Sequence, residues 1–193
     1  MKNYLLLFAA VVAGTIGTIP ASATVVNFDA QAAGSGSDLT GVPEAPLTIG
    51  ILTVTGGELL NQETGLGVDQ TGVYASEGLF GISETNPLVL TFSTPVFNFS
   101  VFVANGDDTR AYTVTDNLGG SLTQTLASAG ALGGATFSLS DGGITSVSIS
   151  SANAAAWNFA IDNVTFTPTP EIGTGELSVL VAATLLLRRF RRA

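Results

Sequence analysis

Three polar residues at the two ends of the chain's middle section carry side chains of the kind that bind calcium. Asp29, Asp162 and Asn163 offer carboxylate and amide oxygens. Ca²⁺ takes about six to eight such oxygens, together with backbone carbonyls and water. Asp162 and Asn163 could instead stabilise a local backbone irregularity by bonding to nearby N–H groups. The residues alone leave both interpretations open, calcium binding and capping.

A second polar run, Asn105-Gly106-Asp107-Asp108-Thr109, resembles the start of an Asp-rich calcium loop. It lacks the later Glu that completes an EF-hand loop, so a plain hairpin turn is the competing interpretation. Arg110 follows directly and could pair with either of the two aspartates. Such an exposed pair contributes only about 0–1 kcal/mol.

Three aromatic residues, Trp157, Tyr74 and Tyr112, could stack on the ring of a sugar. Trp157 and Tyr112 alternate in phase with neighbouring apolar residues, which also fits a place in the core. Tyr74 lies in the loop-like stretch 71–76 and is therefore the best candidate for an exposed sugar contact.

The composition removes several kinds of catalysis. The chain has no His and no Cys, which excludes a Ser-His-Asp triad, a thiolate nucleophile and a cysteine zinc site. A glycosidase needs two carboxylates about 5–10 Å apart in a cleft, and none of the acidic residues lies in a recognisable catalytic motif. We therefore expect a protein that is not an enzyme.

Charge is distributed unevenly along the chain. Residues 24–167 contain 13 acidic residues and a single basic one, Arg110, which gives this section a net charge of −12. Such a section repels phosphate backbones, so binding to nucleic acid is excluded as a function. An acidic surface can attract divalent cations or simply keep the protein soluble.

The same section is punctuated by Gly, Asn, Asp and Pro, and the segments between are short and rich in Val, Ile, Thr and Phe. Phe97, Phe99, Val101 and Val103 alternate with polar residues, as they do in a strand with one buried face. These patterns predict an all-β antiparallel sandwich. The predicted strands are 25–28, 47–55, 58–62, 88–92, 96–104, 110–115, 122–126, 135–139, 145–150 and 157–167.

The last predicted strand changes phase. Trp157, Phe159 and Ile161 occupy odd positions, whereas Val164 and Phe166 occupy even ones. One extra residue near Asp162-Asn163 would keep all five apolar side chains on the inner face. The sequence therefore predicts a β-bulge at that point.

Residues 1–23 have the three parts of a secretion signal. Lys2 supplies the positive charge, residues 5–13 are apolar, and Ala21 and Ala23 are the small residues that precede a cleavage site. We expect a signal helix that is cleaved before Thr24. An uncleaved anchor helix is the alternative.

Residues 168–193 also have three parts: a Pro-Glu hinge at Pro170 and Glu171, a hydrophobic segment at 172–187 whose apolar run is 177–187, and a terminal arginine cluster. The positive-inside rule places that cluster in the cytoplasm and residues 24–167 outside. The apolar run is short for a membrane span, so a marginal or transient hydrophobic helix is expected. A buried C-terminal helix is the alternative. The arginines are Arg188, Arg189, Arg191 and Arg192.

This order of hinge, apolar helix and arginine cluster resembles the PEP-CTERM sorting signal of bacterial surface proteins. Members of that family usually have Pro-Glu-Pro, whereas this chain has Pro170-Glu171-Ile172. The resemblance implies membrane insertion through the C-terminal helix and cleavage near the motif by an exosortase-like protease. It also implies a place in the cell envelope or outside the cell, with transient or stable anchoring.

The segments Val-Asn-Phe-Asp (26–29) and Phe-Ala-Ile-Asp-Asn-Val-Thr-Phe (159–166) are similar to the terminal strands of jelly-roll domains of the carbohydrate-binding-module type. This resemblance implies that the first and last strands pair, which would bring Asp29 near Asp162.

These observations predict an exported surface or matrix protein made of a signal peptide (1–23), a β-sandwich (24–167) and a sorting tail (168–193). Its main expected role is that of a non-catalytic surface module. The alternative is a carbohydrate-binding module for extracellular polysaccharide, and a glycan-active enzyme is the third hypothesis.

Overall fold

A computed structural model describes residues 21–35, 46–60, 72–76, 86–106, 108–128, 133–152 and 159–170. The elements of this part of the chain are one short helix and eleven strands. The helix is α1 (Asp29–Ser35). The strands are β1 (Thr24–Val26), β2 (Leu47–Ile49), β3 (Leu52–Thr55), β4 (Glu58–Leu60), β5 (Val73–Ala75), β6 (Leu88–Asn105), β7 (Arg110–Asp116), β8 (Ser121–Leu126), β9 (Gly134–Leu139), β10 (Ile144–Ser151) and β11 (Phe159–Pro168).

Strand β6 connects the two halves of the fold. Its N-terminal half pairs with β3 on one edge and β10 on the other. Its C-terminal half pairs with β9 and β11 instead. Pro95 lies between the two halves, where it has no N–H to donate to a ladder. The sequence pattern predicted two separate strands here. The structure has one strand whose halves belong to different layers.

The strand pairs are all antiparallel and form two layers. One layer has the order β2-β3-β6-β10-β7-β8. The other has β9-β6-β11, and the far edge of β11 pairs with β1 and with β5, which in turn pairs with β4. The predicted all-β antiparallel sandwich is confirmed.

The core lies between these layers. Phe92 of β6 meets Phe166 of β11 edge to face, with ring centroids 5.0 Å apart. Tyr112 of β7 meets Phe159 of β11 in the same way at 5.6 Å. Each buried aromatic of this kind removes about 150–250 Å² from water, so these contacts contribute strongly to holding the layers together.

The predicted bulge in the last strand is confirmed. The register of β11 against β6 shifts between Asp162 and Thr165, and Asn163 has a left-handed backbone with φ of 46°. Because of this extra residue, Ile161 and Val164 are both fully buried.

The predicted pairing of the first and last strands is also confirmed. Thr24, Val25 and Val26 lie opposite Phe166, Thr165 and Val164. Residues Ser22–Thr169 belong to one compact unit.

Alternation along β6 was predicted correctly for Phe99, Val101 and Val103, which are buried. It was wrong for Phe97, which is only half-buried. Asn98 has a φ of 54°, and at this point three residues of β6 lie opposite two of β11. This second bulge moves Val96, not Phe97, into the core.

Two short elements differ from the sequence-based expectation. The predicted strand 47–55 is a hairpin of β2 and β3, with Gly50 in the left-handed conformation (φ 59°) that its turn requires. Residues 29–35 form helix α1, and its Ala32 is part of the core. Seven residues make too short a helix for a periodic pattern to show.

Residues 1–20 of the predicted signal peptide (1–23) and the predicted hydrophobic tail helix (172–187) lie outside the described residues. Within the described ranges, no helix has the length and apolar character needed to cross a bilayer.

Candidate functional site

An open cleft of about 420 Å³ lies where β7 begins and β10 ends. The pairing of the two strands extends to this point, because the N–H of Ala152 donates to the carbonyl of Ala111 at 3.0 Å. Two alanines on the cleft wall leave room that larger side chains would fill. The cleft is lined by Asp108, Thr109, Arg110, Ala111 and Ala152.

The polar groups of this cleft are of three kinds. Arg110 brings the only positive charge of residues 24–167. The residue is partly exposed, and its Nε and Nη1 are buried. Asp108 and Thr109 are exposed and add a carboxylate and a hydroxyl. A ligand with many hydroxyl groups could bond to the carboxylate of Asp108 and the hydroxyl of Thr109 while it lies beside the positive charge of Arg110.

The loop that carries Asp108 is fixed by hydrogen bonds from the buried side chain of Asn105, which is 1% exposed. Its Nδ2 donates to the carbonyls of Asp108 at 2.8 Å and Ala127 at 2.7 Å. Its Oδ1 accepts from the hydroxyl of Tyr112 at 2.5 Å. Every group of this amide is therefore used inside the protein, which keeps the cleft loop in place.

This network decides between the two interpretations of the run 105–109. The oxygen of Asn105 that a calcium loop would use is already bonded to Tyr112, so the structure favours the turn. Asp107 lies outside the described residues.

The sequence could have indicated the network only partly. A buried Asn at the end of an apolar strand is the signal, since a buried amide needs internal partners.

The aromatic candidates have different outcomes. Tyr112 is fully buried and belongs to the core, which resolves its two interpretations. The prediction that Tyr74 is exposed in a loop is wrong. Tyr74 lies in β5, is fully buried, and packs on Phe28 with ring centroids 5.7 Å apart. Its ring is therefore covered by protein and cannot stack on a sugar in solution. Trp157 lies outside the described residues.

The first calcium candidates have partners within the protein. Asp29 begins α1, and its Oδ1 accepts from the N–H of Gly72 at 2.9 Å while its Oδ2 accepts from Nδ2 of Asn27 at 2.7 Å. Asp162 is fully buried, and its Oδ1 accepts from the N–H of Asn163 at 2.6 Å. The capping interpretation of Asp162 is thereby seen directly. Calcium at these residues stays a prediction.

The residues at the two termini are described in part. Ala21 and Ala23 precede β1, and Pro170 follows β11. Glu171 and the arginines at 188, 189, 191 and 192 lie outside the described residues. Cleavage at the alanines and sorting by the tail stay predictions.

Acidic residues are dispersed over the described part of the chain. Within it, no three His, Cys, Asp or Glu side chains come together as a metal cluster. Among the described residues of the cleft, Asp108 is the single carboxylate. Glu58 and Asp162 are buried, so they do not face an open surface as glycosidase carboxylates must.

Comparison with known proteins gives a distant structural likeness. No family model matches the chain, and no curated protein matches it either. Among solved structures, the chain is similar to a CBM35 from Cellvibrio japonicus Abf62, with 15% identity and a TM-score of 0.38. The match covers 75% of this chain and 92% of that one. Because the likeness is distant, we derive function from the cleft and the charges of this chain.

Proposed function

We propose that this chain is an exported, non-catalytic β-sandwich of the jelly-roll type that binds neutral polysaccharide outside the cell. The observation that carries the proposal is the open cleft lined by Asp108, Thr109 and Arg110. The pairing of β1 with β11 supports the jelly-roll assignment.

The charge of the protein favours a neutral ligand. Residues 24–167 carry a net charge of −12, and an acidic polymer would be repelled at every point except the cleft. A neutral polysaccharide is not repelled, and its hydroxyls can bond to the carboxylate of Asp108 and the hydroxyl of Thr109. The openness of the cleft also suits a long chain that passes through, since neither end of the polymer has to be enclosed.

The shortage of carboxylates in the cleft favours binding over hydrolysis. Cleavage of a glycosidic bond needs an acid and a second carboxylate, whereas Asp108 is the single carboxylate among the described lining residues. Binding needs no such pair.

Export is supported by the sequence. Four of the six basic residues lie at the C-terminal end and one, Lys2, lies near the N-terminus. Both groups adjoin apolar segments, as a signal peptide and a membrane-sorting tail require. The proposed partners are an exosortase-like protease, the membrane through the C-terminal helix, and the polysaccharide.

Affinity electrophoresis tests the binding. The full-length chain is run in mild detergent through gels that contain neutral β-glucan, xylan or mannan, with acidic alginate as a comparison. We expect retardation by at least one neutral polymer and none by alginate. Arg110→Ala should weaken the retardation about tenfold, because it removes the positive charge of the cleft and part of its wall. The control is Val25→Thr, an exposed position on β1 in the other layer.

Equal retardation of Arg110→Ala and the native chain would show that the polymer binds elsewhere. If no neutral polymer retards the chain, the main alternative remains, which is a surface module without a glycan ligand.

Export is tested separately by mass spectrometry of the protein recovered from its native cells. We expect a mature N-terminus at Thr24 and a C-terminus close to Pro170-Glu171. Recovery of chains that keep both residues 1–23 and the terminal arginines would contradict the proposed processing.

A further inference from the structure

Two carboxylates meet beside Gly120, in a part of the fold unrelated to the cleft. Asp116 is the last residue of β7, and Asp141 lies in the loop between β9 and β10. A Cβ atom added to Gly120 would lie 2.5 Å from Oδ2 of Asp116 and 2.5 Å from Oδ2 of Asp141. The two oxygens therefore lie no more than twice that distance apart, and both face the same small space.

The second observation is that Asp116 is buried and that one of its carboxylate oxygens lacks a hydrogen bond within the described part of the chain. Its residue is 6% exposed, and its Oδ2 is buried without a hydrogen-bond partner among the described residues. The other oxygen, Oδ1, accepts from the N–H groups of Leu118 at 2.8 Å and Gly120 at 2.9 Å. These two bonds complete the cap of the turn. Oδ2 is not needed for the cap and points instead towards Asp141.

The proximity of the two Oδ2 atoms destabilises the folded protein unless a positive charge lies between them. A buried carboxylate oxygen without a donor loses its hydration, and a second carboxylate nearby adds like-charge repulsion. Arg110 is the single basic residue of 24–167, and it lies at the opposite end of β7, about 20 Å away at the usual rise of a strand. An ion from solution is a source of positive charge that can reach this place, because Asp141 is partly exposed.

We propose that Asp116 and Asp141 bind a calcium ion next to Gly120. Calcium lies about 2.3–2.6 Å from its oxygen ligands and tolerates irregular geometry. The ion would lie further from the Gly120 Cα than a Cβ would, between the two Oδ2 atoms. Asp141 is partly exposed, so water completes the shell from that side. Magnesium fits less well, because it requires a near-octahedral set of ligands.

Gly120 is required for space and not for backbone conformation. Its φ is outside the left-handed region, unlike that of Gly119 at 97°. Any side chain at position 120 would contact both oxygens at a distance that real Cβ atoms do not adopt. The site is thus kept open by the absence of a side chain.

Calcium binding is tested on the full-length chain in mild detergent, stripped with EDTA. We expect isothermal titration with CaCl₂ to show one site, and the melting temperature to rise by about 5 °C when calcium exceeds its Kd a hundredfold. MgCl₂ should give a smaller shift. Asp141→Asn should abolish the response, and because Asp141 makes no hydrogen bond in the described structure, the variant should fold normally.

The matched control is Asp29→Asn, which alters the first calcium candidates at Asp29, Asp162 and Asn163. Retention of the calcium response in Asp29→Asn and its loss in Asp141→Asn support the proposal. The absence of any response in the native chain overturns it. A response that survives in Asp141→Asn, or that both variants lose equally, overturns it as well. Gly120→Ala provides a second variant, because its methyl group fills the space between the oxygens and should also remove the response.

Discussion

The dipeptide Asp-Asn occurs twice in this chain, at 116–117 and at 162–163, and the two copies have different structural roles. Both aspartates are buried, at 6% and 0% exposure. The first copy stands where β7 ends and a turn begins, and the second lies inside β11.

The copy at 162–163 acts locally. Asp162 bonds to the N–H of the very next residue, and Asn163 adopts the left-handed backbone at φ 46°. The result is one extra residue in β11, with pairing to β6 before and after it. The apolar residues on both sides, Ile161 and Val164, keep their places in the core.

The copy at 116–117 acts over a distance. Asp116 caps its own turn, but Oδ1 of Asn117 accepts from the N–H groups of Thr145 at 2.8 Å and Ser146 at 3.0 Å. The N–H of Asn117 in turn donates to the carbonyl of Ser146 at 3.1 Å. This copy therefore fastens the β7–β8 turn to β10.

The difference follows from the residues that come next. After Asn163 comes Val164, which is β-branched and continues the strand. After Asn117 comes Leu118-Gly119-Gly120, in which Gly119 supplies the positive φ that lets the chain reverse. The two side chains have the same hydrogen-bonding capacity in both places. The residues that follow each Asp-Asn determine whether its side-chain hydrogen bonds form a bulge in one strand or connect two elements.

The largest effect that we predict in this comparison is at Asp116. Asp116→Ala should reduce the free energy of unfolding by about 2–3 kcal/mol in EDTA, since two N–H groups lose a charged acceptor. Urea unfolding of the full-length chain, followed by circular dichroism, measures the loss.

The matched control for that measurement is Asp141→Ala. Asp141 makes no hydrogen bond in the described structure and faces another carboxylate. In EDTA its removal should therefore lower the free energy of unfolding by less than about 0.5 kcal/mol, or raise it by relieving the repulsion. A loss at Asp116→Ala as small as this would mean that the cap contributes little to stability.

The fold was predictable wherever apolar residues alternate over five or more positions. The spacing of the apolar residues in β11 indicates both the strand and the change of phase within it. These residues are Phe159, Ile161, Val164 and Phe166. Tyr74 lies in a strand of three residues, which is too short for any period to appear. Its burial depends on Phe28, which is distant in sequence.

The two sites were less predictable, because each is assembled from separate elements. The cleft joins Arg110 to Ala152, and these come together only through the pairing of β7 with β10. Asp116 and Asp141 come together through the same pairing and through the missing side chain of Gly120. A single sequence indicates the strands but not their register, so neither of these two juxtapositions could be predicted from it.

A smaller effect is predicted for the two asparagines, Asn117 and Asn163, when each is replaced by glycine. Asn117→Gly removes the acceptor of two N–H groups on β10 and adds chain entropy in the unfolded state, so it should cost about 1–2 kcal/mol. Asn163→Gly keeps the backbone bonds of the bulge and suits its positive φ, so the free energy of unfolding should change by less than about 0.5 kcal/mol.

Asn163→Ala is the control that separates conformation from side-chain chemistry in this pair. A Cβ in the left-handed region costs about 1 kcal/mol relative to glycine, so the alanine variant should unfold at lower urea than the glycine variant. Equal stabilities of the two variants would mean that the bulge relaxes when Asn163 is replaced. The backbone at 162–163 would then depend on the asparagine side chain and not on a conformation that β11 itself imposes. The difference between the two Asp-Asn copies would be smaller than the structure indicates.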